Sequence, residues 1–323
     1  MDIILKISQE LMCRQEQVAA AVKLIDEGCT IPFIARYRKE ATGSLNDEQL
    51  RTLDERLTYL RGLEDRKEKV IASIEEQDML TDELKKSILA AETLVAVEDL
   101  YRPYKPKRKT RATIAQSKGL TGLANIISLQ MTNKSIPEEA LAYVSEEKEV
   151  HSTEEAIAGA MDIIAESISD NAEYRTEIRS LTMDKGILMT TAKDPEAESV
   201  YEMYYDFSTP VRKMTGYRTL AINRGEKEKF LSVKIEAPVD EITGYLIRQV
   251  IVRDNPNTND ILRNTITDSY ERLIAPSIER DIRSSLTEAA EDGAIKVFGS
   301  NLKQLLMQPP INGHVVLGWD PAF

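Results

Sequence analysis

Six basic residues fall between Tyr101 and Arg111, in the run YRPYKPKRKTR, and no acidic residue interrupts them. They are Arg102, Lys105, Lys107, Arg108, Lys109 and Arg111, in a chain whose formal net charge is -12. Fixed positive charge at this density needs a counter-anion. One source is the protein's own carboxylates, with the run lying as a solvated loop over acidic helices. The other is a phosphate backbone, which arginine and lysine neutralise by releasing counterions. Pro103 and Pro106 keep the run out of a helix and bias it toward an extended path. Tyr101 and Tyr104 carry flat rings of the kind on which bases stack. A second, weaker cluster, Arg36, Arg38 and Lys39, is interleaved with Phe33 and Tyr37. Its competing reading is aromatic packing against a neighbouring long helix.

Other chemistry is poorly supported by the residue types. There is no CxxC and no HExxH, and the two histidines, His151 and His314, are far apart, so a metal centre is not expected. No P-loop or GxGxxG follows a strand, so no nucleotide cofactor is expected, and no GxSxG marks a nucleophile. Asp320 follows an apolar stretch and Gly318, the place where two-metal nucleases hold their first ligand. A lone carboxylate assembles no metal pair, and a turn cap before Pro321 explains it as well. Cys13 and Cys29 read as inert thiols in a reducing cytoplasm. The strongly acidic balance restricts any nucleic-acid contact to a local patch.

The elements that must position these groups are mostly helical. Ile4–Met12 and Gln15–Asp26 show apolar residues at helical spacing, with Gly28 placed to end the second helix. The stretch from Ile31 to Leu45 reads as an irregular link. Asn46 and Gln49 form a capping box, after which Leu50, Leu53, Leu57, Leu60, Leu63, Val70, Ile71 and Ile74 make one stripe. That is a helix of about thirty residues, roughly 45 Å long. Leu84, Ile88, Ala91 and Val95 predict a returning helix, packed as an antiparallel hairpin, and the basic run begins where it stops. Thr113–Leu129, Pro137–Val144, Thr153–Ser169 and a segment from about Ala172 to Gly186 continue the helical pattern. Leu231, Val233 and Ile235 alternate as a short strand, whereas Gly244–Val252 fits helix or strand. Ile261–Gln308 is helical again, with a bend expected at Pro276 and a break at Asp292–Gly293. His314–Gly318 reads as a buried-type strand.

At 323 residues the chain should form about two domains. The pattern predicts a mainly α fold in four parts: helical residues 1–190, a small mixed α/β segment 191–260, a long helical connector 261–310, and a strand-turn 311–323. No run of about 18 apolar residues is present, so no membrane partner is expected. The start, MDIILKISQELM, lacks the make-up of a signal peptide.

Longer blocks add a family. IPFIARYRKEATGSL, DLYRPYKPKRKTRATIA, LAINRGEKEK and NLKQLLMQPP leading into GHVVLGWDPAF resemble the bacterial Tex family of transcription accessory proteins. The resemblance implies a multi-domain, non-enzymatic scaffold that binds nucleic acid, RNA or DNA, in the cytoplasm. It implies a multi-helical N-terminal region with helix-turn-helix character. It further implies an RNase-H-like domain whose first strand this chain enters before ending, and a C-terminal OB-fold carrying most of the RNA affinity. Two other roles remain open: a module docking on RNA polymerase or on later domains of the same polypeptide, and an RNase-H-like nuclease headed by Asp320.

Overall fold

The computed structural model describes residues 2–309 together with 313, 315 and 317–319, and it is mainly helical. Its contacts divide the chain into two compact units, 1–176 and 177–323, with the division falling inside one helix.

The first unit is organised by its longest apolar stripe. Helices α1 (Ile3–Glu10), α2 (Gln15–Asp26) and α3 (Ile31–Tyr37) pack against α4 (Asp47–Glu75). The Asn46 side chain accepts from the Gln49 N–H at 2.8 Å, and Gln49 accepts from the Asn46 N–H at 3.1 Å, which closes the expected capping box. Leu50, Leu53, Leu57, Leu60, Leu63, Val70 and Ile74 of α4 are all buried. So is Lys67 in the same stripe, whose Nζ donates to Glu64 at 2.8 Å and to the Leu89 carbonyl at 2.9 Å. Burying a charge there is tolerable only because two acceptors meet it.

Three local expectations change. The segment after Thr30 is not an irregular link, because Ile31–Tyr37 forms α3 with Pro32 in its first turn, where a missing N–H costs little. The returning helix is two pieces, α5 (Asp82–Ala90) and α6 (Leu94–Tyr101). Thr93 caps α6 by accepting from the Ala96 N–H, and the restart turns Val97 and Tyr101 inward while Val95 is left exposed. The predicted helix over Thr113–Leu129 is likewise split into α7 (Arg111–Ser117) and α8 (Thr121–Leu129). Gly119 sits between them at φ +81°, a conformation that ends a helix and suits glycine. Behind these, α9 (Ile136–Ala140) and α10 (Thr153–Asp170) complete a second apolar layer, with α10 packed on α7, α8 and α9.

Helix α11 (Ala172–Lys185) carries the division, and after it the second unit continues with β1 (Ile187–Ala192), β2 (Asp206–Pro210), α12 (Gly216–Lys227) and β3 (Leu231–Glu236). The sheet is antiparallel in the order β2-β1-β3, with Leu188 opposite Thr209 on one side and Ile235 on the other. Only β3 announces itself by alternation; β1 and β2 are short and mixed in polarity. The ambiguous segment resolves as helix α13 (Val239–Val250), followed by α14 (Asn259–Asp268) and α15 (Ala275–Leu306). Between the last two lies a π-helical turn, Ser269–Ile274. It widens the backbone just before Pro276, whose ring would otherwise meet a carbonyl one turn back. Helix α15 runs through Asp292–Gly293 without the expected break. Val315, Leu317 and Gly318 lie in no strand and are exposed; His314, Val316 and Asp320 lie outside the described residues.

Candidate nucleic-acid interface

The basic run does not behave as one patch. Tyr101 is the last residue of α6 and Arg102–Tyr104 a single 3-10 turn, so the path becomes extended only at Lys105, φ -66° and ψ 125°. Tyr101 is buried, its hydroxyl 2.9 Å from that of Ser73, and the Arg66 guanidinium lies 5.4 Å from its ring centroid. Its ring is therefore an internal anchor and presents no face to a base. Tyr104 is half-buried against the same core, and its carbonyl accepts from Gln77 at 3.0 Å.

The cations divide in two. Arg102 Nε donates to Asp170 at 3.2 Å, and Lys107 is bonded to the other Asp170 oxygen and lies 3.4 Å from Glu166. Lys105 is a looser neighbour of Glu98, at 3.9 Å. Burial pushes the Asp170 carboxyl above its ordinary range, against the pull of Lys107 and Arg102. By contrast Arg108, Lys109 and Arg111 are exposed and form no ion pair among the described residues. Below them the backbone is fixed: Thr110 caps α7, accepting from the Thr113 N–H at 3.0 Å, while Thr113 accepts from the Thr110 N–H at 2.8 Å. The expectation of a loop lying over acidic helices thus holds for the first half of the run, which is folded onto carboxylates, while its second half faces solvent. The acid that the first two cations share, Asp170 at the end of α10, lies 68 residues from Arg102 and 63 from Lys107, and no spacing rule links it to the run.

Behind the run, Asp99 of α6 holds Arg175 at 2.6 Å, both buried. Arg66 bonds Glu98 on the same helix at 2.6 Å. These ties hold the end of α6, and with it the start of the basic run, in one orientation.

The second cluster differs from its packing expectation. Ile34 is the residue of α3 that goes inward, fully buried, while Phe33 and Tyr37 are exposed at 37% and 66%. Their ring centroids are 5.3 Å apart at a tilt of 44°, and the Arg38 guanidinium lies 5.3 Å from the Phe33 centroid. Arg36, Arg38 and Lys39 are exposed and form no ion pair among the described residues. Elsewhere, His151 is exposed and offers only its backbone N–H, to Glu155. No cluster of three or more His, Cys, Asp or Glu able to hold a metal occurs among the described residues. Cys13 and Cys29 are free and pack against the first core, and burial pushes the Cys13 thiol up. No described helix is long and apolar enough to cross a membrane.

The family model described as Tex-like protein N-terminal domain matches residues 1–75, and the one described as Tex central region-like matches residues 132–298. An uncharacterised protein of Bacillus subtilis, YdcI, is 49% identical over 321 residues, covering 98% of this chain and 45% of its own length. The transcriptional accessory protein Tex of Neisseria gonorrhoeae is 39% identical over 333 residues, covering 100% of this chain and 43% of its own. Human S1 RNA-binding domain-containing protein 1 is 30% identical over 323 residues, covering 94% and 32%. The chain thus spans less than half the length of the curated relatives it matches.

Proposed function

The chain belongs to the Tex family, and we propose that it acts as a non-enzymatic, nucleic-acid-associated scaffold in transcription, in the cytoplasm, touching RNA or DNA phosphates through Arg108, Lys109 and Arg111. One observation carries the reading: these cations are left without acids in a protein that supplies acids to Arg102 and Lys107 of the same run. An acidic chain with carboxylates to spare and three exposed cations on a fixed loop is suited to a polyanion. Relatives named for transcription and for S1 RNA binding support the same class of ligand.

Helix-turn-helix character has local support too. Helices α2 and α3 are joined by the four residues 27–30, with Gly28 at φ +83°. An RNase-H-like continuation and a nuclease headed by Asp320 have no described residue to rest on.

The test is a titration of labelled RNA and DNA duplexes at several salt concentrations. Binding should be weak and indifferent to sequence, with log K falling as log salt rises. The triple variant Arg108→Glu, Lys109→Glu, Arg111→Glu should flatten that slope by about 2–3, on the basis of about 0.9 per lost phosphate contact. A variant that binds like the wild type would show that the loop is not the contact.

A second reading, protein docking, is favoured by the outer half of α15. Ile295, Phe298, Leu302 and Leu305 recur at coiled-coil spacing and are all exposed. Relatives of this chain run to more than twice its length, and the partner proposed for this face is that remainder of the polypeptide rather than RNA polymerase.

A further inference from the structure

We infer that the outer face of α3 is a stacking platform for the bases of single-stranded nucleic acid. The inference rests on the nucleic-acid reading above but on a different surface from the basic loop. Phe33 and Tyr37 are four residues apart, so one helical face presents both. That face is in water, while Ile34 behind it is fully buried. Two neighbouring rings left exposed, with Arg36, Arg38 and Lys39 around them, combine flat apolar surface with positive charge. Glu40 beside them pairs with none of the three. This is the composition by which single strands are held: bases lie on rings while cations follow the phosphates.

The platform is built before any ligand arrives. Gln17 Nε2 donates to the carbonyls of Thr42 and Gly43, at 3.3 and 2.8 Å, and the Ser44 N–H donates to the Lys39 carbonyl at 2.7 Å. Leu45 is buried at the far end of the segment as Ile34 is at the near end. Little order remains to be imposed on binding.

Duplex reading fits this helix poorly, although it occupies the second position of a helix-turn-helix. A recognition helix reaches base edges with its N-terminal side chains, using hydrogen-bonding groups. Here those positions are Ile31, Pro32 and Phe33, which have none. Paired bases are stacked on each other and hide their faces; a single strand offers them.

The experiment compares three labelled ligands on the full chain: oligodeoxythymidine, an abasic strand of the same length, and a blunt duplex. The wild type should prefer the base-bearing strand over the abasic one by on the order of tenfold. Phe33→Ala with Tyr37→Ala should abolish that preference and leave abasic and duplex affinity unchanged. Phe33→Tyr with Tyr37→Phe should keep it, and circular dichroism should find both variants folded, since the rings are largely outside the core. Absence of a base preference in the wild type, or its survival in the double alanine variant, overturns the platform alone. Failure of all three ligands to bind overturns the proposed function with it.

Discussion

At the level of single residues, partners are what decide the meaning of a charge. Arg102 and Arg108 are the same residue type six positions apart, yet one is spent on Asp170 and the other faces water. Nothing in the local sequence separates them, because the separating acids come from α10. For the same reason the sequence could nominate the basic run but not tell its structural half from its free half. Nor could it give the exposure of Phe33 and Tyr37, which depends on which face of α3 Ile34 turns inward. Elsewhere the pairs are local enough to test directly. Arg56 meets both oxygens of Glu10, at 2.7 and 2.8 Å, and this bond holds the Glu10 carboxyl below its ordinary 4.5. A depressed carboxylate stabilises the fold at pH values above its unfolded value, and that stabilisation is lost as pH falls through the folded value. Glu10→Gln should therefore lower stability by about 0.2–1 kcal/mol near neutrality, the range for a partly exposed pair. The difference from wild type should begin to shrink as the pH drops below about 4.5 and vanish only below the depressed folded value. A urea titration series across pH measures it; a difference that persists unchanged into acid refutes the linkage.

At the level of elements, what could be read in advance was periodicity, and what could not was interruption. The α4 stripe and its capping box are explicit in Asn46–Gln49 and the leucine spacing, and they appear in the fold as expected. The breaks at Thr93 and Gly119 divide apolar patterns that look continuous, because a cap changes the buried face without changing the composition. Strands β1 and β2 escaped because their residues alternate weakly, and their pairing with β3 comes from contacts distant in sequence. The Thr93 cap carries a measurable consequence. It starts the helix that ends at Tyr101 and so fixes where the basic loop begins. Thr93→Ala should destabilise the first unit by about 0.5–2 kcal/mol, whereas Thr93→Ser should be nearly silent. Equal losses in both variants, read by chemical denaturation, would mean that the threonine methyl and not the cap matters.

At the level of the whole molecule, the two units use their surfaces differently. The first carries both cation groups that face solvent; the second carries the long exposed flank of α15, where Ile295, Phe298 and Leu302 are 68%, 67% and 41% exposed. If that flank is reserved for the rest of a longer polypeptide, it contributes nothing to the stability of the described units. Ile295→Lys, Phe298→Lys and Leu302→Lys together should leave the thermal midpoint unmoved, where losing about 1 kcal/mol would shift it by about 2–4 °C. They should also reduce light scattering at high concentration, as loss of an exposed apolar patch does. A lowered midpoint would place the flank in this chain's own core and remove the docking reading. The Asp170 clamp has an effect of its own on this division of labour. Because α10 ends at that carboxylate, fraying of its end back past Glu166 would hand Arg102 and Lys107 back to the solvent. A partly opened first unit would then show polyanions five cations instead of three. Tightening the grip as the helix end loosens is the reverse of the usual bargain, in which a protein that unravels lets go.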